Sequence, residues 1–222
     1  MDAGTVGTIM AAMFWLHIVT QLTFLNFLPF GKHFHVITSL PNVFFKSLGY
    51  PHEKTKWLDL EDEAAWEDES LGLNHIHQLD WKQGLDLFTC TECGRCTDNC
   101  PANQTGKKLS PRKIMMDTRD RLEEVGRQLD LSGGKWEPDG KQLLDDYISR
   151  EELWACTSCN ACVQACSVSI DPLSIIMDMR QYLVMEQSAA PSELNVMMTN
   201  IENNGAPWPF NQMDRLNWKQ EV

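Results

Sequence analysis

Residues 90–101 read CTECGRCTDNCP, and residues 156–166 read CTSCNACVQAC. Both runs follow C-x2-C-x2-C-x3-C, and together they hold all eight cysteines of the 222-residue chain. Three chemistries compete for such runs. Disulfides need an oxidising compartment and serve small, loop-rich scaffolds; cysteines crowded on one stretch of chain pair poorly with one another. Structural zinc prefers pairs of C-x2-C separated by a dozen or more residues. A cubane cluster is different, because thiolates converging from every third residue of one tight loop can reach three of its irons, leaving the fourth for a distant ligand.

The cubane reading fits both runs. In two-cluster ferredoxins the fourth cysteine of each run serves the other cluster. On that rule Cys90, Cys93, Cys96 and Cys166 hold one [4Fe–4S] cluster, while Cys156, Cys159, Cys162 and Cys100 hold the second. The small residues Gly94, Thr97, Ser158 and Ala161 leave room for the cubes. Pro101 stiffens the exit from the first run; its counterpart is Ser167, whose hydroxyl lies near enough in sequence to touch a cluster sulfur. A zinc-stabilised membrane adaptor with no redox role is the alternative from another class.

Working outward, helix signals surround the runs. Ser110-Pro111 opens a helix whose apolar stripe is Met115, Leu122, Val125 and Leu129, and Gly133-Gly134 closes it. Ser149 with Glu152 forms a capping box before the second run. Asp171-Pro172 starts another helix, and Pro191 and Gly205 bracket a further one. An internal repeat accompanies the cysteines: IMMDTRDRL at 114–122 mirrors IIMDMRQYL at 175–183. Each copy follows its own cysteine run, as expected of two halves related by a pseudo-twofold axis. No alternating strand pattern is present. The expected fold is mainly α: an N-terminal transmembrane helix, then an α-helical ferredoxin domain with two [4Fe–4S] clusters.

No Asp, Glu, Lys or Arg occurs from Ala3 to Gly31. Roughly 20 apolar residues span a bilayer, so this stretch predicts a membrane helix. A signal peptide would have a basic start and a shorter apolar core, and a buried soluble helix is the other reading. Lys32 and Lys46 follow the span while only Asp2 precedes it, which places the remainder on the cytoplasmic side of the cell inner membrane. The chain divides into a span at 1–31, an interfacial segment and acidic linker at 32–79, a two-cluster domain at 80–187 and a helical extension at 188–222. Asp59, Glu61, Asp62, Glu63, Glu67, Asp68 and Glu69 form the acidic run, read as solvated. His75 and His77 read as loop residues without a site. Lys107, Lys108, Arg112 and Lys113 read as a solvated helix start. A net charge of -12 excludes nucleic acid as a partner.

His17 and His35 stand about five helical turns, or about 27 Å, apart on one continuous helix. On such a helix both rings face one side, near opposite faces of the hydrocarbon layer. That spacing suits axial ligation of two stacked haem b groups, the other ligands coming from further helices; the other reading is that Pro29 kinks the helix and His35 sits among headgroups beside Lys32 and His33.

The segment WLHIVTQLTFLNFLPFGKHFHVITSLPNVFF resembles the last membrane helix of a nitrate-reductase gamma-type cytochrome b. The segment WKQGLDLFTCTECGRCTDNCPANQTGKKLSPRKIMMDTRD is similar to the ferredoxin part of heterodisulfide-reductase-like iron–sulfur proteins, and the long stretch between Cys100 and Cys156 fits their α-helical ferredoxin domain. The resemblance implies membrane electron transfer between quinone or haem b and a soluble redox partner. Such proteins carry several upstream membrane helices and downstream cysteine-rich CCG domains; both are expected to be missing or supplied by other subunits. The alternative partner is a flavin dehydrogenase of glycolate or glycerol-3-phosphate type, whose iron–sulfur subunit this would be. No nucleophile–base pair, phosphate loop or flavin fingerprint is present, so no complete catalytic site is expected.

Overall fold

The computed structural model describes residues 3–48 and 71–219; the acidic run at 59–69 lies outside them. Helix α1 (Ala3–Phe27) stands alone, with none of its residues buried. With the turn that follows, it forms an apolar stretch over Ala3–Phe30 long enough to cross a membrane. Three of its polar side chains bond back into it: Thr8 Oγ1 donates to Gly4 O at 3.0 Å, Thr20 Oγ1 to Leu16 O at 2.8 Å and Asn26 Nδ2 to Leu22 O at 2.8 Å. Such bonds one turn back let a span carry hydroxyls and amides without orphaned polar groups.

The span does not continue as one helix. Pro29 sits in a 3-10 turn over Leu28–Phe30, Gly31 is extended, and a second 3-10 turn over Lys32–Phe34 leads into α2 (His35–Phe44). Gly31 is the corner. The helix α2 then lies against α3 (Trp81–Thr89). Thr38 and Asn42 form its buried face, while Val36, Leu40 and Phe44 stay exposed. Asn42 is fully buried because both ends of its amide are used. Its Nδ2 donates to Val168 O at 2.9 Å and its Oδ1 accepts from Lys82 Nζ at 2.8 Å. Edge-to-face ring pairs, Phe34 with Phe88 and Phe45 with Trp81, flank this joint.

The remaining helices form two similar halves. In the first, α3 leads into Cys90, then α4 (Arg95–Asp98), α5 (Pro101–Gln104) and the long α6 (Pro111–Leu131). In the second, α7 (Arg150–Ala155) leads into Cys156, then α8 (Ala161–Ala165) and α9 (Pro172–Met185). Packing of α4 on α8 and of α6 on α9 brings the halves together. The starts follow the sequence signals. Ser149 accepts from Glu152 N while Glu152 accepts from Ser149 N, Asp171 Oδ1 accepts from Leu173 N, and Ser110 accepts from Lys113 N. An unsignalled box, Asp80 with Gln83, starts α3. The core between the halves is Leu87, Ile114, Ile148, Leu153, Ile175, Met179 and Leu183, all fully buried. Glu152 and Lys113 pair across the halves at 2.8 Å. A last helix, α10 (Ser192–Asn204), ends on Gly205 in the left-handed region and buries nothing. No strand occurs among the described residues beyond an isolated bridge between Leu144 and Ile148.

Residues 71–79, assigned from sequence to the linker, instead belong to the core through Leu73 and Ile76. Gly72 makes this possible. Leu73 N donates to Asp178 O at 3.0 Å, and at a φ of +120 a Cβ on Gly72 would meet Tyr182 N at 2.4 Å. Only glycine admits so close a backbone approach.

Candidate functional site

The two cysteine loops share one backbone path. Cys90 ends α3 with φ -67 and ψ 117; Cys156 ends α7 with φ -70 and ψ 128. Two residues later, Glu92 and Ser158 both adopt positive φ, as do Gly94 and Asn160 beyond the second cysteine. The third cysteine of each run lies in a short helix, Cys96 in α4 and Cys162 in α8. The fourth, Cys100 and Cys166, have φ of -79 in both halves and ψ of 118 and 119. Left-handed residues are costly outside glycine, so their repetition at matched positions marks a loop shaped for convergence rather than a casual turn.

Convergence is what the side chains show. Cys90, Cys93, Cys96 and Cys166 line one cavity of about 510 Å³ counting its open mouth, with Gly94, Met115 and Ile170 among its other walls. In the other half, Cys156 lies close enough to Cys159 and Cys100 for their charges to interact. Cys162 interacts likewise with Cys156, and with Cys96 across the packed helices. Cys93 and Cys159 are exposed, whereas Cys100 and Cys162 are buried. Among the described residues no three His, Cys, Asp or Glu side chains close on a single metal ion. Thiols arranged around a space, not drawn to a point, fit a four-iron cube whose irons are each held by one thiolate.

Backbone N–H groups point at the sulfurs in the same repeated order. Glu92 N serves Cys90 as Ser158 N serves Cys156, at 3.4 Å in the latter. Thr97 N serves Cys96 as Val163 N serves Cys162. Ile170 N adds a bond to Cys166 Sγ at 3.4 Å. Burial pushes the Cys90, Cys96 and Cys156 thiols up, and the Cys162 thiol up to about 12. Iron takes thiolate rather than thiol, so loading these loops displaces protons. The N–H donors then stabilise the charge on sulfur.

Sequence reading missed two arginines, although the repeat contained both. Arg119 of α6 donates to Cys90 O at 3.4 Å and pairs with Glu92. Arg180 of α9 donates to Leu153 O and Cys156 O and lies 4.9 Å over the Trp154 ring. Each thus ties the first cysteine of its own loop to the helix behind it. The signal was the Asp-x-Arg shared by 117–119 and 178–180.

The histidine expectations fare differently. His17 is exposed on α1, and His35 begins α2 beyond the corner at Gly31. A common face requires a continuous helix, so the five-turn register between them fails, and with it the geometric basis for stacked haems. The His33 ring, 6.5 Å from that of His35, turns back to within 6.2 Å of Phe24. His75 and His77 stack at 5.4 Å beside a 3-10 turn.

Comparison with known proteins agrees with the cysteine geometry. The 4Fe-4S dicluster domain family matches residues 89–170. The probable iron-sulfur-binding oxidoreductase FadF of Bacillus subtilis (strain 168) is 35% identical over 94% of this chain and 33% of its own length. The EtfAB:quinone oxidoreductase of Syntrophomonas wolfei is 31% identical over 94% of this chain and 31% of its own. A probable membrane-anchored ferredoxin of Chromohalobacter salexigens is 31% identical over 75% of this chain and 26% of its own. Heterodisulfide reductase subunits C and D of methanogens match as well. The chain spans a third or less of the length of the three relatives just described. Residues 89–170 are therefore a 4Fe–4S dicluster domain, behind an apolar helix, in a chain whose homologues are iron–sulfur oxidoreductases and heterodisulfide reductase subunits.

Proposed function

We propose that Cys90, Cys93, Cys96 and Cys166 hold one [4Fe–4S] cluster, and Cys156, Cys159, Cys162 and Cys100 the other. The supporting observation is the cavity on which the first four thiols open, one of them from the opposite half of the chain. A bound cube supplies one-electron redox chemistry. The protein's own part is to fix the thiols, aim N–H groups at them and keep the two sites on adjoining helices.

In this reading the chain relays electrons between membrane quinone and a soluble redox partner, with the cluster domain on the cytoplasmic side of the inner membrane. The relative named EtfAB:quinone oxidoreductase, which matches along nearly the whole chain, supports the quinone end of this relay, and a flavoprotein is the alternative soluble partner. His17 is the one mid-span imidazole, and an ionisable side chain there calls for a partner from another helix. A haem b shared with such helices would provide it.

Anaerobic purification of the intact chain in detergent tests the ligand assignment. About eight irons and eight acid-labile sulfides per chain are expected from two four-iron clusters. Colourless protein carrying zinc and no sulfide would instead establish the adaptor reading. Reduction of the clusters by a short-chain quinol, and their reoxidation by an oxidised flavoprotein, tests the relay. For haem, a b-type band in the difference spectrum that survives His17→Ala would remove His17.

A further inference from the structure

The repeated Asp-x-Arg sets two arginines in equivalent places with unequal surroundings. Arg119 has a carboxylate partner, Glu92, so that its charge is neutralised locally. Arg180 has none. Its guanidinium donates to Leu153 O, Cys156 O and the Ser158 hydroxyl, all uncharged, and rests on the Trp154 ring. The nearest acidic residue on its own helix, Asp178, is engaged by Gln83 Nε2 at 2.6 Å. Glu152, on α7, is taken by Lys113 and Ser149. Among the described residues, Cys156 is the only group whose negative charge acts on Arg180.

Arg180 is half-buried, and a guanidinium partly withdrawn from water is normally paired with an anion. The missing anion is adjacent. A [4Fe–4S] cube with four thiolate ligands is a dianion, and one-electron reduction adds a further negative charge. A fixed cation beside it stabilises the reduced form more than the oxidised form. Resting on the ligand assignment proposed above, we infer that Arg180 is the counter-ion of the cluster on the Cys156 loop, and that it raises that cluster's reduction potential. Arg119 and Glu92 together add no net charge to the other loop, so the two clusters differ in what holds their charge. The role is one of positioning and tuning: Arg180 reaches the cluster's surroundings through Cys156, Ser158 and the loop carbonyls.

Potentiometric titration of the intact, anaerobically purified chain, followed by electron paramagnetic resonance, separates the possibilities. In Arg180→Gln the reduced-to-oxidised ratio of one cluster at fixed potential is expected to fall about tenfold, equal to about 59 mV for a one-electron couple. The other cluster should stay put. Arg180→Lys keeps the charge and is expected to keep most of the potential. The double variant Glu92→Gln/Arg119→Gln removes a neutral pair, and each ratio should change less than about threefold, or about 28 mV on the same scale. A wild-type chain without cubane signals would remove the ligand assignment and this inference together. Two normal clusters with an unshifted midpoint in Arg180→Gln would remove the inference alone. So would an Arg180→Lys midpoint as low as that of the glutamine variant, because hydrogen-bond geometry and not charge would then be the cause. Should Arg180→Gln fail to assemble its cluster, a loaded Arg180→Lys with native potential supports the counter-ion role, and an unloaded one overturns it.

Discussion

Cys166 opens on the same cavity as Cys90, although the two belong to different cysteine runs and different halves of the chain. If ligation follows that geometry, replacing either thiol damages the same cluster. Cys166→Ala and Cys90→Ala should therefore lose the same paramagnetic signal, while Cys156→Ala loses the other. Loss of one signal by both Cys166→Ala and Cys156→Ala, with Cys90→Ala losing the second, would mean that each run keeps its own cluster.

Asn42 is the most buried polar group that α2 brings to its joint with α3. Asn42 satisfies Val168 O and Lys82 Nζ at once in a fully buried position. In Asn42→Leu the Val168 carbonyl loses this partner while Lys82 Nζ keeps Asp86, at a cost of about 1–3 kcal/mol. The variant should show a lower Tm and faster hydrogen exchange across residues 35–44. Wild-type exchange there would mean that the aromatic pairs and Thr38 hold the joint without Asn42.

Two glycines should respond to alanine in opposite directions. Gly72→Ala forces a Cβ onto the backbone of Tyr182 at a φ that side chains rarely adopt, so a loss of at least about 1–3 kcal/mol is expected. Gly126, within α6, has nothing near its absent Cβ, and Gly126→Ala should stabilise by about 0.5–1 kcal/mol. Chemical denaturation of the two variants decides this; equal midpoints would contradict the backbone contact at Gly72.

Acid stability depends on the 139 position. Asp139 accepts two hydrogen bonds from Arg121, at 2.6 and 2.7 Å, which hold its carboxyl well below the usual range. A group depressed in the folded state stabilises the protein above its unfolded pKa, near 3.9. That stabilisation drains away as the pH falls from there toward the folded value. Asp139→Asn should be less stable than wild type at neutral pH, with the difference shrinking steadily as the pH falls below about 3.9. A constant difference across that window would assign the effect to packing.

Much of this fold was legible because its signals are local. Ser149 with Glu152, Asp171-Pro172 and Gly205 sit where their caps and stops were expected, since a cap is decided within one turn of chain. Cysteine spacing is local in the same sense. What escaped reading depends on partners distant in sequence. Asn42 looks like an ordinary interfacial asparagine until Val168 meets it, and Gly72 like a loop glycine until Tyr182 crosses it. The corner at Gly31 was hidden because an uncharged run says how much chain suits the bilayer, not where the helix must stop. Pro29 carried the warning. The arginines were visible as a repeat, but their task emerged only when each helix was seen behind its own cysteine loop.

The bend at Gly31 matters most for what lies beyond it. A redox domain hung on a slack tether would sample every attitude above the bilayer, and a visiting protein would have to wait for a productive one. Here the chain turns at Gly31, just past the apolar stretch, and α2 is clamped by Asn42 to the strip of backbone just past Cys166. The segment after the corner is thus moored to the cluster domain, so any slack between the apolar stretch and that domain is confined to the few residues around Gly31.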